Sequence, residues 1–230
     1  VKLNGSKVLD LISIHIAKTG GRSFYEILKD QYGQSLDPRY KRVHYFPKKN
    51  YNNKLINRIP KNIKVIHGHL LYEHIAEIHK EYNPKIITWL RDPVERVISN
   101  YYYLMNRVKD DSQHPQYKMR NFTLIEYANE SIMNKMSGYL KGINLEDLFF
   151  FGFLEDFKGG LEILASKMDW ENPVTEVHIN KNISKSVTNN IATKKEIITN
   201  DVRERIRELN QEDIKLYHKA KKIYKERFNA

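Results

Sequence analysis

"LISIHIAKTGGRSFYEIL", Leu11 to Leu28, decides how this 230-residue chain is read. An apolar, β-branched run stops at Lys18-Thr19-Gly20-Gly21, and apolar residues at helical spacing begin at once with Phe24, Ile27 and Leu28. Short apolar runs bounded by turn residues read as buried strands, and apolar residues three and four apart mark one face of a helix. The stretch is therefore a strand (Val8 to Ile16), a glycine turn and a helix that stops at Gly33.

The same order recurs. "IKVIHGH" (Ile63 to His69) predicts a second strand, followed by a helix from Leu71 to Tyr82 closed by Asn83-Pro84. "KIITWLR" (Lys85 to Arg91) predicts a third strand. Asp92 then caps a helix with Pro93 in its first turn, and Val94, Val97, Ile98, Tyr101, Tyr102 and Met105 form its apolar face. Arg96 reads as a partner of Asp92 one turn away, and the tyrosines from Tyr101 as packing residues. Arg107 to Asn121 reads as a surface loop, Thr123 to Met136 as a helix, Leu148 to Leu154 as a strand and Phe157 to Met168 as a helix. Glu171 to Thr199 is irregular and basic, and Asp201 to Phe228 reads as one long terminal helix. Strands alternating with helices predict an α/β fold: a single domain over residues 1–230, with a mostly parallel central sheet flanked by helices.

In such sheets ligands collect at the carboxyl ends of the strands. Three polar segments fall there: Lys18 to Ser23, His67 to His69, and Arg91 onward. In the first, Gly20 and Gly21 allow close backbone approach, the helix start offers unpaired N–H groups to an anion, Lys18 adds a point charge, and Thr19 and Ser23 add hydroxyls. The segment is not a Walker A loop, and no acidic residue ends a strand beside it to hold magnesium. In the second, His67 and His69 point the same way from their strand, placed for general-base work. Two imidazoles without carboxylate or thiolate neighbours make a poor zinc site, so no metal is expected. His15 reads as a satisfied core residue. In the third, Arg91 and Ser99 two turns on could grip a second phosphate, unless Arg91 pairs with Asp92 or Glu95.

Composition sets outer limits. The chain has no cysteine, which removes disulfides, thiolate chemistry and cysteine zinc sites. Its net charge of +11 suits a polyanionic partner or a highly charged small ligand, although a lysine-rich composition alone would produce it. No apolar run nears the roughly 20 residues of a membrane span. Richness in Lys, Ile and Asn points to a microbial or viral source and a cytoplasmic location; a Golgi-lumenal catalytic domain whose anchor has been removed is the other reading.

Three motifs in order carry a family resemblance. "HIAKTGGRSF" resembles the H-I-P-K-T-G-G-T-S-F loop of carbohydrate sulfotransferases of the heparan sulfate 2-O- and 6-O-sulfotransferase type (sulfotransferase family 2). "IHGHLLYEH" resembles the His-Gly-His segment of the 2-O-sulfotransferases, and "TWLRDPVERVISNYYYL" the signature R-D-P-x-E-R-x-x-S-x-Y-Y. The close likeness spans Ile14 to Leu104. It implies a P-loop-nucleotide-hydrolase-like fold and the donor 3′-phosphoadenosine 5′-phosphosulfate, leaving adenosine 3′,5′-bisphosphate, with no metal. By position, Lys18, Thr19, Gly20, Gly21, Arg22 and Ser23 would cradle the 5′-phosphosulfate, and Arg91 with Ser99 the 3′-phosphate. His69 matches the general base and His67 its neighbour, while Lys18 would also act in catalysis. Lys181, Asn182 and Lys185 of the late basic loop would close over the nucleotide. The acceptor would be a hydroxyl, of a carbohydrate, with no nucleic-acid partner. Two departures stand out: Ala17 replaces the loop proline, and Arg22 replaces a small threonine.

Two other classes fit parts of the pattern. A P-loop-like kinase would need magnesium-dependent ATP binding. A polyanion- or RNA-binding module would show steep salt dependence and no preference for a 3′-phosphorylated adenosine.

Overall fold

The structure is a computed structural model, and it describes residues 9–37, 60–109, 111–130, 133–170 and 198–228. Its centre is a four-stranded, wholly parallel sheet in the order β2-β1-β3-β4, where β1 is Leu11–Ile14, β2 Val65–Gly68, β3 Lys85–Leu90 and β4 Phe150–Phe153. The strands are shorter than their apolar runs, yet flanking residues still bond across to the neighbouring strands: the Asp10 N–H donates to the Lys64 carbonyl and the His15 N–H to that of Gly68. Between β1 and β2 lies α1 (Gly21–Tyr32), and α2 (Tyr72–Tyr82) leads from β2 to β3. Three helices then precede β4: α3 (Pro93–Val108), α4 (Leu124–Glu130) and α5 (Lys135–Tyr139). After β4 come α6 (Phe157–Met168), α7 (Asn200–Leu209) and α8 (Gln211–Phe228). The α/β expectation holds.

The order of the strands places the site. The chain leaves β1 toward β2 on one side, yet leaves β3 toward β4 on the other. Between the carboxyl ends of β1 and β3 the connections therefore part, and open parallel sheets form a crevice at such a point. Residues of period two divide the strand faces: Ser13 and His15 lie on the α1 side with His67, while Ile12, Ile14 and Ile16 fill the other face. Buried on both faces, β1 and β3 anchor a core with Phe24, Ile66, Trp89, Phe150 and Phe151.

Two helices expected to be continuous are broken, for the same reason. The Thr123 to Met136 run is split into α4 and α5, with Asn134 in the left-handed region (φ 49°) between them. The terminal helix is interrupted at Asn210, dividing α7 from α8. The broken ends cap one another. Asn134 Oδ1 accepts from the Glu212 and Asp213 N–H groups, and Asn210 Oδ1 accepts from the Asn134 N–H. Fully buried Asp213 accepts from the N–H groups of Met136 and Ser137 and from the Ser137 hydroxyl. Helix termini leave donors without intrahelical partners, and these short polar side chains satisfy them. Arg96 completes this knot. It lies 3.8 Å from the Asp213 carboxylate and is 2% exposed, not paired with Asp92 as its spacing suggested. Asp92 instead caps α3, accepting from the Val94 and Glu95 N–H groups, as its sequence position predicts.

Candidate active site

The turn after β1 is a strained, braced loop. Lys18 takes φ 73°, a left-handed conformation that costs a non-glycine residue about 1–2 kcal/mol. Arg91, at the end of β3, holds it there by donating from Nη1 to the Lys18 carbonyl at 3.3 Å. This contact crosses the crevice between β1 and β3, so two of the three segments at the strand ends meet. Arg91 is thus turned toward the loop, while Glu155, the acidic group that favours its charge most, accepts a 2.7 Å hydrogen bond from the Asp92 N–H.

The two glycines do different jobs. Gly20 has φ 89° at the start of α1, where a side chain would be strained and would also press on Leu154. A Cβ on Gly21 would stand 2.0 Å from the His15 ring, so this glycine makes room for an imidazole of the protein rather than for a ligand. Thr19 also differs from expectation. Buried, it donates its hydroxyl proton to the Ile16 carbonyl at 2.8 Å and so closes the turn instead of offering a donor outward. Ser23 is buried in the first turn of α1, while Arg22 is exposed.

Lys18 sits among like charges. Burial first, then the positive charges of Arg91 and Arg22, lower its pKa to about 8. Its ammonium rests 4.4 Å from the centre of the Tyr103 ring, one helical turn beyond Ser99 on α3. Arg91 is likewise pushed down, chiefly by burial, against the pull of Glu155, Glu95 and Asp92. Three cations are therefore gathered at one crevice, two of them partly desolvated.

Behind the loop stand three histidines in a stack. His15 lies parallel to His69, with ring centres 4.2 Å apart, and to His67 at 5.2 Å. The His67 Nε2–H donates to the Gly21 carbonyl (3.0 Å), so its Nδ1 accepts, from the Ser13 hydroxyl at 2.8 Å. Both ring nitrogens are thus spent on tying β2 to β1 and α1, and burial lowers the pKa to about 3, keeping the ring neutral. With both ring nitrogens engaged inside the protein, His67, expected beside His69 in catalysis, has neither turned to a substrate in this arrangement.

His69 is different. It is half-buried, and its Nδ1 lies 2.7 Å from the His15 carbonyl oxygen. A carbonyl can only accept, so Nδ1 carries the proton and the neutral ring keeps its basic lone pair on Nε2. His15, read from sequence as a satisfied core residue, supplies both the carbonyl that sets this tautomer and the ring that the imidazole stacks on. Burial and the neighbouring His67, His69, Arg22 and Lys18 hold His15 well below the usual histidine pKa. The Tyr139 ring of α5 and the His69 ring meet in a T-shaped arrangement, with centres 6.4 Å apart. Nothing in the sequence marked Tyr139. The alternation Leu11-Ser13-His15 could have marked His15, since it puts polar groups on the same strand face as His67. Lys181, Asn182 and Lys185 lie outside the described residues, as does most of the 39–62 segment.

A family model, the sulfotransferase domain, matches residues 6–168. The chain belongs to the sulfotransferase domain family. The match takes in all four strands and every site residue named above except those of the late basic loop. Among solved structures, this sulfotransferase is similar to mouse sulfotransferase SULT7A1 complexed with PAP, with a TM-score of 0.56 and 14% identity over 98% of this chain and 90% of that one. It is also similar to a sulfotransferase from Alicyclobacillus acidocaldarius, with a TM-score of 0.51 and 15% identity over 92% of this chain and 95% of that one. At such identities the likeness is one of fold. A comparison with curated proteins gives no match.

Proposed function

We propose that this sulfotransferase transfers the sulfonate group of 3′-phosphoadenosine 5′-phosphosulfate to a hydroxyl, that of a carbohydrate, by in-line displacement with His69 as general base. The observation that carries the reading is the cation cluster at the crevice between β1 and β3. Arg91 and Arg22 repel the Lys18 ammonium there, and an incoming phosphosulfate relieves that repulsion. The mouse neighbour, solved as a complex with PAP, supports a donor of the same nucleotide class. The motifs from His15 to Leu104 support a kinship with the heparan sulfate 2-O- and 6-O-type enzymes, and with it a carbohydrate acceptor.

The residues then divide the work. The N–H groups at the start of α1 and the Lys18 ammonium hold the 5′-phosphosulfate. Arg91 and Ser99, on the other wall, take the 3′-phosphate, as their matching positions imply. His69 Nε2 accepts the acceptor's hydroxyl proton while the new O–S bond forms and the S–O bond to the 5′-phosphate breaks. The bridging electron pair departs on the phosphate oxygen, where Lys18 stabilises the growing charge. His67 and Ser13 keep the loop backbone in place throughout.

Replacing His69 by alanine tests the assignment. Turnover should fall by about 10²–10⁴-fold, while calorimetry should find the affinity for adenosine 3′,5′-bisphosphate little changed. Full turnover with normal nucleotide binding would remove His69 from the role. Preference for the bisphosphate over ATP and AMP, measured without added metal, separates this reading from a kinase and from a general polyanion binder.

A further inference from the structure

One face of α5 adjoins the site and has no part in the chemistry above. Lys135 and Tyr139 are four residues apart, which puts them on the same side of the helix, and Tyr139 is the residue whose ring meets that of His69 in a T-shaped arrangement. Lys135 is half-buried at the start of that face. The next two residues of the helix, Met136 and Ser137, give their N–H groups to Asp213, the carboxylate that also pairs with Arg96. Its Oδ1 takes the Ser137 N–H and hydroxyl, and its Oδ2 takes the Met136 N–H and Arg96. Asp213 is therefore saturated. Among the described residues no carboxylate pairs with Lys135. Arg96 is itself incompletely served, for its buried Nε has no acceptor. Positive charge thus exceeds negative charge in a partly dry region, an arrangement that costs stability unless an anion completes it. Burial and the like charge of Arg96 both work against the Lys135 ammonium, lowering its pKa.

We propose that Lys135, with Tyr139 as the wall beside it, is a specificity-determining subsite for an oxyanion, a carboxylate or sulfate, carried by the acceptor near the hydroxyl presented to His69. The assignment rests on His69 being the base. The donor's own anionic groups have other partners, on the β1–α1 turn and at Arg91. Arg96, 2% exposed, lies too deep to touch the ligand and acts as the charge behind Lys135.

A matched pair of probes decides the matter: a glucuronic-acid-containing disaccharide, and the same disaccharide with glucose in place of the acid. Each is titrated calorimetrically into the bisphosphate-bound enzyme and also assayed as an acceptor. The wild type should bind the acid about tenfold more tightly, roughly the effect of one charge-assisted hydrogen bond. Lys135→Met should bring the two probes together, Lys135→Arg should keep the preference, and the bisphosphate affinity should stay within about twofold in all three proteins. The proposal is overturned by a wild type that does not distinguish the probes, or by a preference that survives Lys135→Met. A tenfold loss of bisphosphate affinity in Lys135→Met would also overturn it, assigning the lysine to the donor. Failure of the wild type to bind bisphosphate would instead count against the donor reading, and acceptor binding to the free protein would still score the subsite.

Discussion

Arg91 and Arg96 stand five residues apart on either side of the Asp92 cap, and the fold treats them in opposite ways. Arg96 is sealed in, 3.8 Å from Asp213, at the junction of α3, α5 and α8. Arg91 is half-buried, and the one bond described for its guanidinium goes to a backbone carbonyl, that of Lys18. Around Arg96 a carboxylate is provided by the protein itself. Around Arg91 the neighbours that matter to Lys18 are more cations. Where a carboxylate is locked against the guanidinium, the charge serves structure; where the carboxylates of Glu155, Glu95 and Asp92 act on it without a contact ion pair among the described residues, the charge is left able to meet a ligand. The two regions should therefore respond differently when one partner is removed.

The largest expected effect belongs to the sealed region. Asp213→Ala strands a buried guanidinium and leaves the Met136 and Ser137 N–H groups without their acceptor. Breaking one side of a buried ion pair costs about 3–5 kcal/mol, a large fraction of the stability of an ordinary domain. Urea or thermal unfolding should show that loss. A change under about 1 kcal/mol would mean that water reaches the knot, and the contrast with Arg91 would collapse.

Removing a cation from the crevice should have the other signature. Lys18→Met keeps the side-chain length and the same backbone demand but relieves the repulsion by Arg91 and Arg22. Stability should hold or rise slightly, while affinity for adenosine 3′,5′-bisphosphate should fall about 10–100-fold, the range of a lost charged hydrogen bond. Calorimetry and an unfolding curve on the same variant read both. Equal losses in stability and affinity would show that Lys18 is structural, as Arg96 is.

This contrast also marks how far the amino-acid pattern could be read unaided. Strands and the turns that end them were legible because β1, β2 and β3 are buried on both faces, so their apolar runs are continuous. Lys18, His69 and Arg91 were legible as strand-end residues, since chain order alone fixes which end of a parallel strand they occupy. What escaped were facts settled between distant segments. A local pairing of Arg96 with Asp92 was a sound guess until Asp213, more than a hundred residues later, supplied a buried partner. The breaks at Asn134 and Asn210 are cut by mutual capping, which neither segment shows by itself. Thr19 and His67 had the right residue types for a ligand site, yet each spends its polar atoms on backbone or a neighbouring hydroxyl. His15 hid for the opposite reason: it is a core residue by burial and a site residue by its carbonyl.

The smallest effect concerns the titration of Lys18 and the ring beneath it. A lysine with a pKa near 8 holds its proton below that pH and releases it above. Since the charged form is the one that binds an anion, the alkaline limb of kcat/KM for the donor should begin at about 8, where an ordinary lysine would hold to about 10, while the acid limb belongs to His69, whose ring must be neutral to act as base. That profile reports the free enzyme. Bound phosphosulfate favours the ammonium, so the decline in kcat should come at higher pH. For stability the sign is reversed: the folded protein holds this proton less tightly than the unfolded chain does, so the Lys18 contribution improves as pH rises from about 8 toward 10.5. The groups facing the ammonium are Arg22 on α1, Arg91 at the end of β3, the His15 imidazole, and Tyr103 on α3, to whose hydroxyl Arg107 donates at 3.5 Å. Among the described residues only the Tyr103 ring, with its negative face, favours the charge. Tyr103→Leu keeps bulk over the ammonium and removes that face, an interaction worth about 0.5–1 kcal/mol. The alkaline limb should then move down by about half a pH unit, and Tyr103→Phe should leave it in place. An upward move in Tyr103→Leu would show that the ring's main effect is to keep water away, and that the crevice discourages its own lysine from carrying charge.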